Sequence, residues 1–151
     1  MTTIVACAQR MEMAADTRCT GGGPMCNVQK IFPLGQSIIG IAGDVFAALT
    51  FLDWLGDKRK KPPKFEDEYD CFIALQLTPS GIVLWNGRLT PLPIKDSCYA
   101  IGSGAMAAMQ SARKGSTLTV AIQEACTLDE GSGGAVETMK LTVNKKCRLP
   151  R

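Results

Sequence analysis

Met1-Thr2-Thr3-Ile4-Val5-Ala6-Cys7-Ala8-Gln9, with Met11-Glu12-Met13-Ala14-Ala15-Asp16-Thr17 close behind it, decides how this chain is read. In residues 3–9 β-branched side chains give way to small ones, the composition of a strand, and residues 11–17 make a second strand. The residue behind the initiator methionine is a threonine. Once Met1 is removed, Thr2 carries a hydroxyl nucleophile and a free amine on one residue, a combination that can replace a serine–histidine pair. Composition narrows the choice, because the 151 residues include no histidine. Ser-His and Cys-His triads, histidine general bases and histidine-ligated zinc are all excluded. The proton carrier of any hydrolase built on this chain is therefore an amine or a carboxylate.

Outward from that stretch, residues 28–34 and 37–42 read as a third and a fourth strand joined by a hairpin at Gly35-Gln36. Gly21-Gly22-Gly23-Pro24 is a flexible loop; no Gly-Lys-Ser/Thr follows it, so it is not a phosphate-binding loop. Asp44 caps a helix over residues 45–55 that is apolar nearly all round (Phe46, Leu49, Phe51, Leu52, Trp54, Leu55), which predicts burial against a sheet. Residues 71–77 and 82–86 are strands joined at Pro79-Ser80-Gly81. A short strand at 99–102, helices at 105–113 and 118–128 and a strand at 135–143 follow, with 145–151 a loose tail. This order predicts one α+β domain over residues 1–151, with antiparallel sheets covered by helices.

A 46% hydrophobic and 21% charged content with a net charge of +3 is that of a soluble globular chain. The one basic cluster, Lys58-Arg59-Lys60-Lys61 with Lys64, is broken by Pro62-Pro63 and followed by Glu66-Asp67-Glu68. It reads as a solvated loop, since nucleic-acid binding calls for bases and aromatics spread over one face. Seven cysteines (Cys7, Cys19, Cys26, Cys71, Cys98, Cys126, Cys147) make no Cys-x-x-Cys pair, so no metal site is expected and the thiols read as reduced. No apolar stretch approaches the roughly 20 residues that span a bilayer, and the N-terminus has no secretory pattern. A cytoplasmic protein without membrane or nucleic-acid partners is the expectation.

Several short pieces then fit one mechanism. Thr2-Thr3-Ile4-Val5, Ala14-Ala15-Asp16-Thr17-Arg18, Asn27-Val28-Gln29-Lys30-Ile31, Ile39-Gly40-Ile41-Ala42-Gly43-Asp44, Ile101-Gly102-Ser103-Gly104 and Asp129-Glu130-Gly131-Ser132-Gly133 come in that order. Any one is weak, since a Gly-Ser-Gly alone is usually a turn. Together they resemble the proteasome β-subunit family of N-terminal-nucleophile hydrolases over about residues 2–143, and most of all its bacterial members, the peptidase rings of the HslUV type.

The resemblance implies a four-layer αββα sandwich of two antiparallel sheets. It also implies a threonine endopeptidase, assembled as a homo-oligomeric ring, acting on peptides or unfolded protein and served by an ATP-dependent unfoldase. Thr2 would attack the substrate carbonyl, with its own amine as base. Lys30 would lower the pKa of that amine and hydroxyl, Asp16 would aim Lys30, and the Gly40 N–H would meet the oxyanion. Ser103, Asp129 and Ser132 would hold the amine. Cys19, Val28, Phe32, Ile38 and Ala42 would surround the pocket for the residue before the cut. No cofactor is required; a monovalent cation held by backbone carbonyls near Cys126, Asp129 and Ser132 is a family feature that nothing in these residues demands. The chain departs from the family in one place, because only one helix is legible between the glycine segment and the next strand pair, a reduced helical layer. Two other readings stand beside the peptidase: an N-terminal-nucleophile amidase or acylase on a small amide, and a catalytically silent ring subunit.

Overall fold

The computed structural model describes residues 1–21, 23–66 and 71–142. The expected tail and the end of the last expected strand lie outside these residues. β1 (Thr3–Cys7) runs antiparallel beside β2 (Glu12–Asp16), with Ile4 opposite Ala15 and Cys7 opposite Glu12. β10 (Cys98–Gly102) flanks β1 and β11 (Val136–Lys140) flanks β2, giving a four-stranded sheet in the order β10-β1-β2-β11. A second sheet runs β5 (Ile31–Leu34), β6 (Ser37–Gly43), β7 (Phe72–Thr78), β8 (Gly81–Asn86) and β9 (Leu92–Ile94) in chain order, antiparallel throughout. A small ribbon of β3 (Arg18–Cys19) and β4 (Cys26–Asn27) stands apart.

Side-chain alternation builds the layers. Ile4, Ala6, Met13 and Ala15 point toward Ile38, Ala42, Leu75, Leu77 and Ile82 of the other sheet and close the central core. The intervening Val5, Cys7 and Ala14 point the other way, onto Ala108, Ala112, Leu118, Ala121, Ile122 and Ala125 of α2 (Ala105–Arg113) and α3 (Leu118–Leu128). On the far side Ile39, Ile41, Ala74 and Trp85 pack under α1 (Val45–Gly56) through Ala48 and Phe51. The layers are thus helix pair, sheet, sheet, helix, the expected αββα sandwich. α1 is the only helix between β6 and β7 among the described residues, so its layer is the reduced one.

Local chemistry sets the helix ends. Asp44 accepts from the Ala47 N–H at 2.9 Å, and Thr117 accepts from Val120 at 3.2 Å, each a side-chain N-cap. Phe51 anchors α1 against Phe72 (5.0 Å between ring centroids) and Trp85 (5.5 Å). As expected, α1 packs against a sheet, through Ala48 and Phe51, and part of its remaining apolar surface is left open. Phe46 is 82% exposed, and Val45 and Leu49 are also exposed, because a single sheet face covers only one stripe of a helix.

Candidate active site

Asp16, the last residue of β2, has no exposure to solvent. Its Oδ1 accepts from the Thr3 N–H (2.8 Å) and from Lys30 Nζ (2.8 Å), and its Oδ2 accepts from the Gly133 N–H (2.9 Å). One carboxylate thus ties β1, the segment entering β5 and the 129–134 loop together. A charge buried so deeply is tolerated only when it is paired and hydrogen-bonded, which the Lys30 ammonium and two backbone N–H groups achieve here. Lys30, 4% exposed, donates also to the carbonyls of Arg18 (2.6 Å) and Met1 (3.2 Å). This is no solvated strand pair of small worth. Breaking one partner of a buried ion pair costs about 3–5 kcal/mol.

The third contact of Lys30 falls on the Met1–Thr2 peptide bond. The Thr2 carbonyl lies 3.4 Å from Ser103 Oγ, in the turn after β10. Gly102 there has φ +94, and a Cβ on it would strike the Thr2 carbonyl; one on Gly104 would strike Thr3 Oγ1. The Gly-Ser-Gly motif is therefore a close-approach device that lets β1 begin against this turn.

Behind it, Asp129 Oδ2 accepts from Ser103 Oγ (2.6 Å) and Ser132 Oγ (2.5 Å). A serine has one hydroxyl proton, and Ser132 gives its own to the carboxylate. In the 2.6 Å Thr3 Oγ1–Ser132 Oγ contact the donor is therefore Thr3. Burial pushes the Asp129 carboxyl up, but hydrogen bonds from Ser103, Ser132 and the Gly131 N–H, with the positive chain terminus nearby, hold it below its ordinary 3.8. A lowered folded-state pKa gives stability that is full above the unfolded value and is lost as pH falls through the lower folded one. The difference in urea midpoint between the wild type and Asp129→Asn is therefore expected to stay level from pH 7 down to about 4 and to narrow below that. A gap that closed already between pH 7 and 5 would contradict this protonation state.

A cavity of about 430 Å³ opens beside Thr2 and Lys30. Cys19, Val28 and Ala42 line it, with Ile41, Gly43, Val45, Phe46 and Ala48. Two residues expected there lie elsewhere. Phe32 packs into the layer under α1, and Ile38 sits in the core between the sheets. Gly40 is likewise corrected. Its α-carbon faces Ile4 and Met13 in the central core. The neighbouring Ile41 N–H donates to Lys30 O at 2.9 Å, so alternation along β6 turns the Gly40 N–H the other way, toward its partner Leu75 in β7. Gly43, two residues past Ile41 and at φ +97, has its N–H on the Lys30 side, beyond the first residue of β5, where the cavity lies. Thr3 and Gly133 were also not among the expected site residues. A lone aspartate in a strand does not announce its backbone donors, so only the geometry reveals them.

For the monovalent cation, the Asp129 carbonyl already accepts from the Ser132 N–H (3.1 Å) and the Glu130 carbonyl from Arg18 Nη1 (3.1 Å). The Cys126 thiol is pushed up, first by burial and then by the Asp16 charge. No described helix is long and apolar enough to cross a membrane.

Two face-to-face antiparallel sheets between helical layers form the αββα sandwich, and β1 begins at a buried carboxylate–lysine pair. No protein-family model matches the sequence, and no curated protein matches it significantly. Solved structures do match. BPH from Thiobacillus denitrificans, in complex with epoxomicin, superposes at a TM-score of 0.71 with 20% identity, over 94% of this chain and 100% of that one. Eukaryotic HslV from Trypanosoma brucei gives 0.66 with 17% identity, over 91% and 98%. A Gly-1 mutant of Anbu from Hyphomicrobium sp. strain MC1 gives 0.65 with 12% identity, over 91% and 80%. At these identities the likeness is one of fold, and it extends over nearly the whole chain.

Proposed function

We propose that this chain is a threonine-type peptidase subunit of a ring protease, with Thr2 as nucleophile once Met1 is removed. The observation that carries the reading is the placement of Thr2 at the wall of an apolar cavity, with Lys30 Nζ 3.2 Å from the carbonyl of the Met1–Thr2 bond and Ser103 Oγ 3.4 Å from the carbonyl of Thr2 itself. With Met1 gone, Thr2 Oγ attacks the substrate carbonyl and the α-amine, of reference pKa about 8, takes its proton. Lys30 beside them favours the neutral amine and the alkoxide. The Gly43 N–H meets the developing oxyanion, a donor worth about 3 kcal/mol in comparable sites. The amine then protonates the leaving group, and a water activated by the same amine releases the acyl group from Thr2. The Ser103–Asp129–Ser132 cluster fixes the amine.

Ile41, Ala42, Val45 and Ala48 make the pocket apolar, so an apolar residue before the cut is preferred. An unguarded peptidase with so general a pocket endangers cytosolic proteins; enclosure in a ring restricts it to peptides and threaded, unfolded chains. The exposed Val45 and Phe46, which line the cavity, and the exposed Leu49 of the same helix offer the surface to seal such a ring. An ATP-driven unfoldase rests on the family resemblance alone. Light scattering at micromolar concentration, run with turnover of a short fluorogenic peptide, tests this. A homo-oligomer is expected, with Phe46→Asp shifting the population to smaller species. A stable monomer of 16.2 kDa with full activity would overturn the ring.

A further inference from the structure

Two cysteines that take no part in the bond-making steps lie opposite each other in the β3–β4 ribbon, one of them, Cys19, in the cavity wall. Cys19 ends β3 and Cys26 opens β4, directly opposite in the antiparallel ribbon. The Val28 N–H donates to the Thr17 carbonyl at 2.8 Å and so continues the register of the ribbon by one pair. Directly opposed residues of an antiparallel ribbon hold their Cα atoms about 4.5–5.5 Å apart, inside the window of roughly 4.4–6.8 Å that a disulfide spans. Directly opposed side chains lie on the same face of a ribbon. Past this pair none of the described residues Thr20, Gly21, Gly23, Pro24 and Met25 is in a strand, so no ladder among them resists the small approach of the two Cβ atoms that a bridge requires. Both thiols are free; Cys26 is exposed, and Cys19 lines the cavity beside Lys30.

We propose that Cys19 and Cys26 form a reversible disulfide, a modification site at the cleft that takes a small-molecule disulfide such as oxidised glutathione as its oxidant. The Cys26 thiolate attacks one glutathione sulfur, forming a mixed disulfide as the glutathione S–S bond breaks and one glutathione thiolate leaves. The Cys19 thiolate then attacks the Cys26 sulfur, the Cys19–Cys26 bond forms and the second glutathione leaves. The two cysteines lose two electrons in all, glutathione disulfide gains them, and the two cysteine protons end on the two released thiols.

The bridge draws the Cys19 sulfur off the cavity wall and ties β3 to β4 covalently. It also stiffens the backbone at Arg18, whose carbonyl holds Lys30 at 2.6 Å. Cys7 and Cys98 are also opposed, in β1 and β10, but both are buried under the helix pair, and burial, with the Cys7 contact, pushes the Cys98 thiol up to about 11. They serve as an internal control that stays reduced.

The full chain is equilibrated in glutathione redox buffer, alkylated and read by peptide mass spectrometry. Cys19 and Cys26 are expected to escape alkylation together, in a species lacking two hydrogens and restored by dithiothreitol. In Cys19→Ser, Cys26 is expected to stop at the glutathione adduct. Wild type in which Cys26 carries glutathione while Cys19 remains alkylatable, or in which neither reacts, would overturn the site. This readout needs no peptidase activity, so its failure is separable from failure of the peptidase reading. In turnover assays the bridge is expected to raise KM several-fold with kcat within about twofold. Cys26→Ser is expected to match the reduced wild type and to ignore the oxidant. Equal KM in both redox states would overturn the effect on the cleft.

Discussion

Thr2→Ala is expected to abolish peptide hydrolysis, by roughly 10⁴-fold or more, while leaving the fold and the assembly as they are. The side chain supplies no hydrogen bond to the Asp16 or Asp129 clusters, whose donors are Thr3, Lys30, Gly133, Ser103 and Ser132. Its removal therefore costs chemistry and little else. Alanine at position 2 is also small enough for the preceding methionine to be trimmed, so the variant retains a free terminal amine and isolates the hydroxyl. Thr2→Ser keeps a hydroxyl but loses the β-branch that restricts χ1, and a partial rate is expected. The comparison is made with one fluorogenic peptide at matched concentration and with light scattering on both variants. Thr2→Ala turning over at the wild-type rate would mean that the nucleophile lies elsewhere.

Lys30→Ala is expected to lose several orders of magnitude in turnover and, separately, about 3–5 kcal/mol of stability, because Asp16 is left charged and buried without its cation. Those effects can be pulled apart. Asp16→Asn keeps Lys30 but turns an amide nitrogen toward one of the donors that Oδ1 and Oδ2 now accept, so it weakens the positioning of Lys30 and is expected to cost less activity than Lys30→Ala. The double variant Asp16→Asn/Lys30→Met removes the unpaired charge. It is expected to recover stability relative to Lys30→Ala in urea unfolding and to remain inactive. Recovery of activity along with stability would show that Lys30 acts only as a structural counter-ion.

Much of this was legible in the sequence, and the failures have physical causes. α2 and α3 were read to their observed ends, because Thr117 and the Gly115 break mark the join and the helices are periodic. β9 was not anticipated, since Pro91 and Pro93 flank Leu92. Prolines suit an edge strand, which has no partner for the missing N–H, and β9 is the edge. The pocket was harder. Both faces of β6 are buried, so Ile38, Ile39, Ile41 and Ala42 look alike in sequence and nothing indicates which face meets the cavity. The choice between Gly40 and Gly43 turned on the phase of a single strand, where a shift of one residue reverses the direction of every N–H. The Asp16–Lys30 pair was anticipated as a pair, but its depth was not, because burial comes from the 129–134 loop closing over it from 117 positions away in sequence.

The central claim is that a free Thr2 amine does the proton transfer, and the mass of the active protein tests it most directly. A Thr2 nitrogen still bonded to Met1 is an amide and cannot act as a base, and the Met1 carbonyl then occupies Lys30 at 3.2 Å. Intact-mass spectrometry of a preparation with measured turnover is expected to show a chain lacking Met1, with activity proportional to the trimmed fraction. A fully active preparation whose mass includes Met1 would contradict the account.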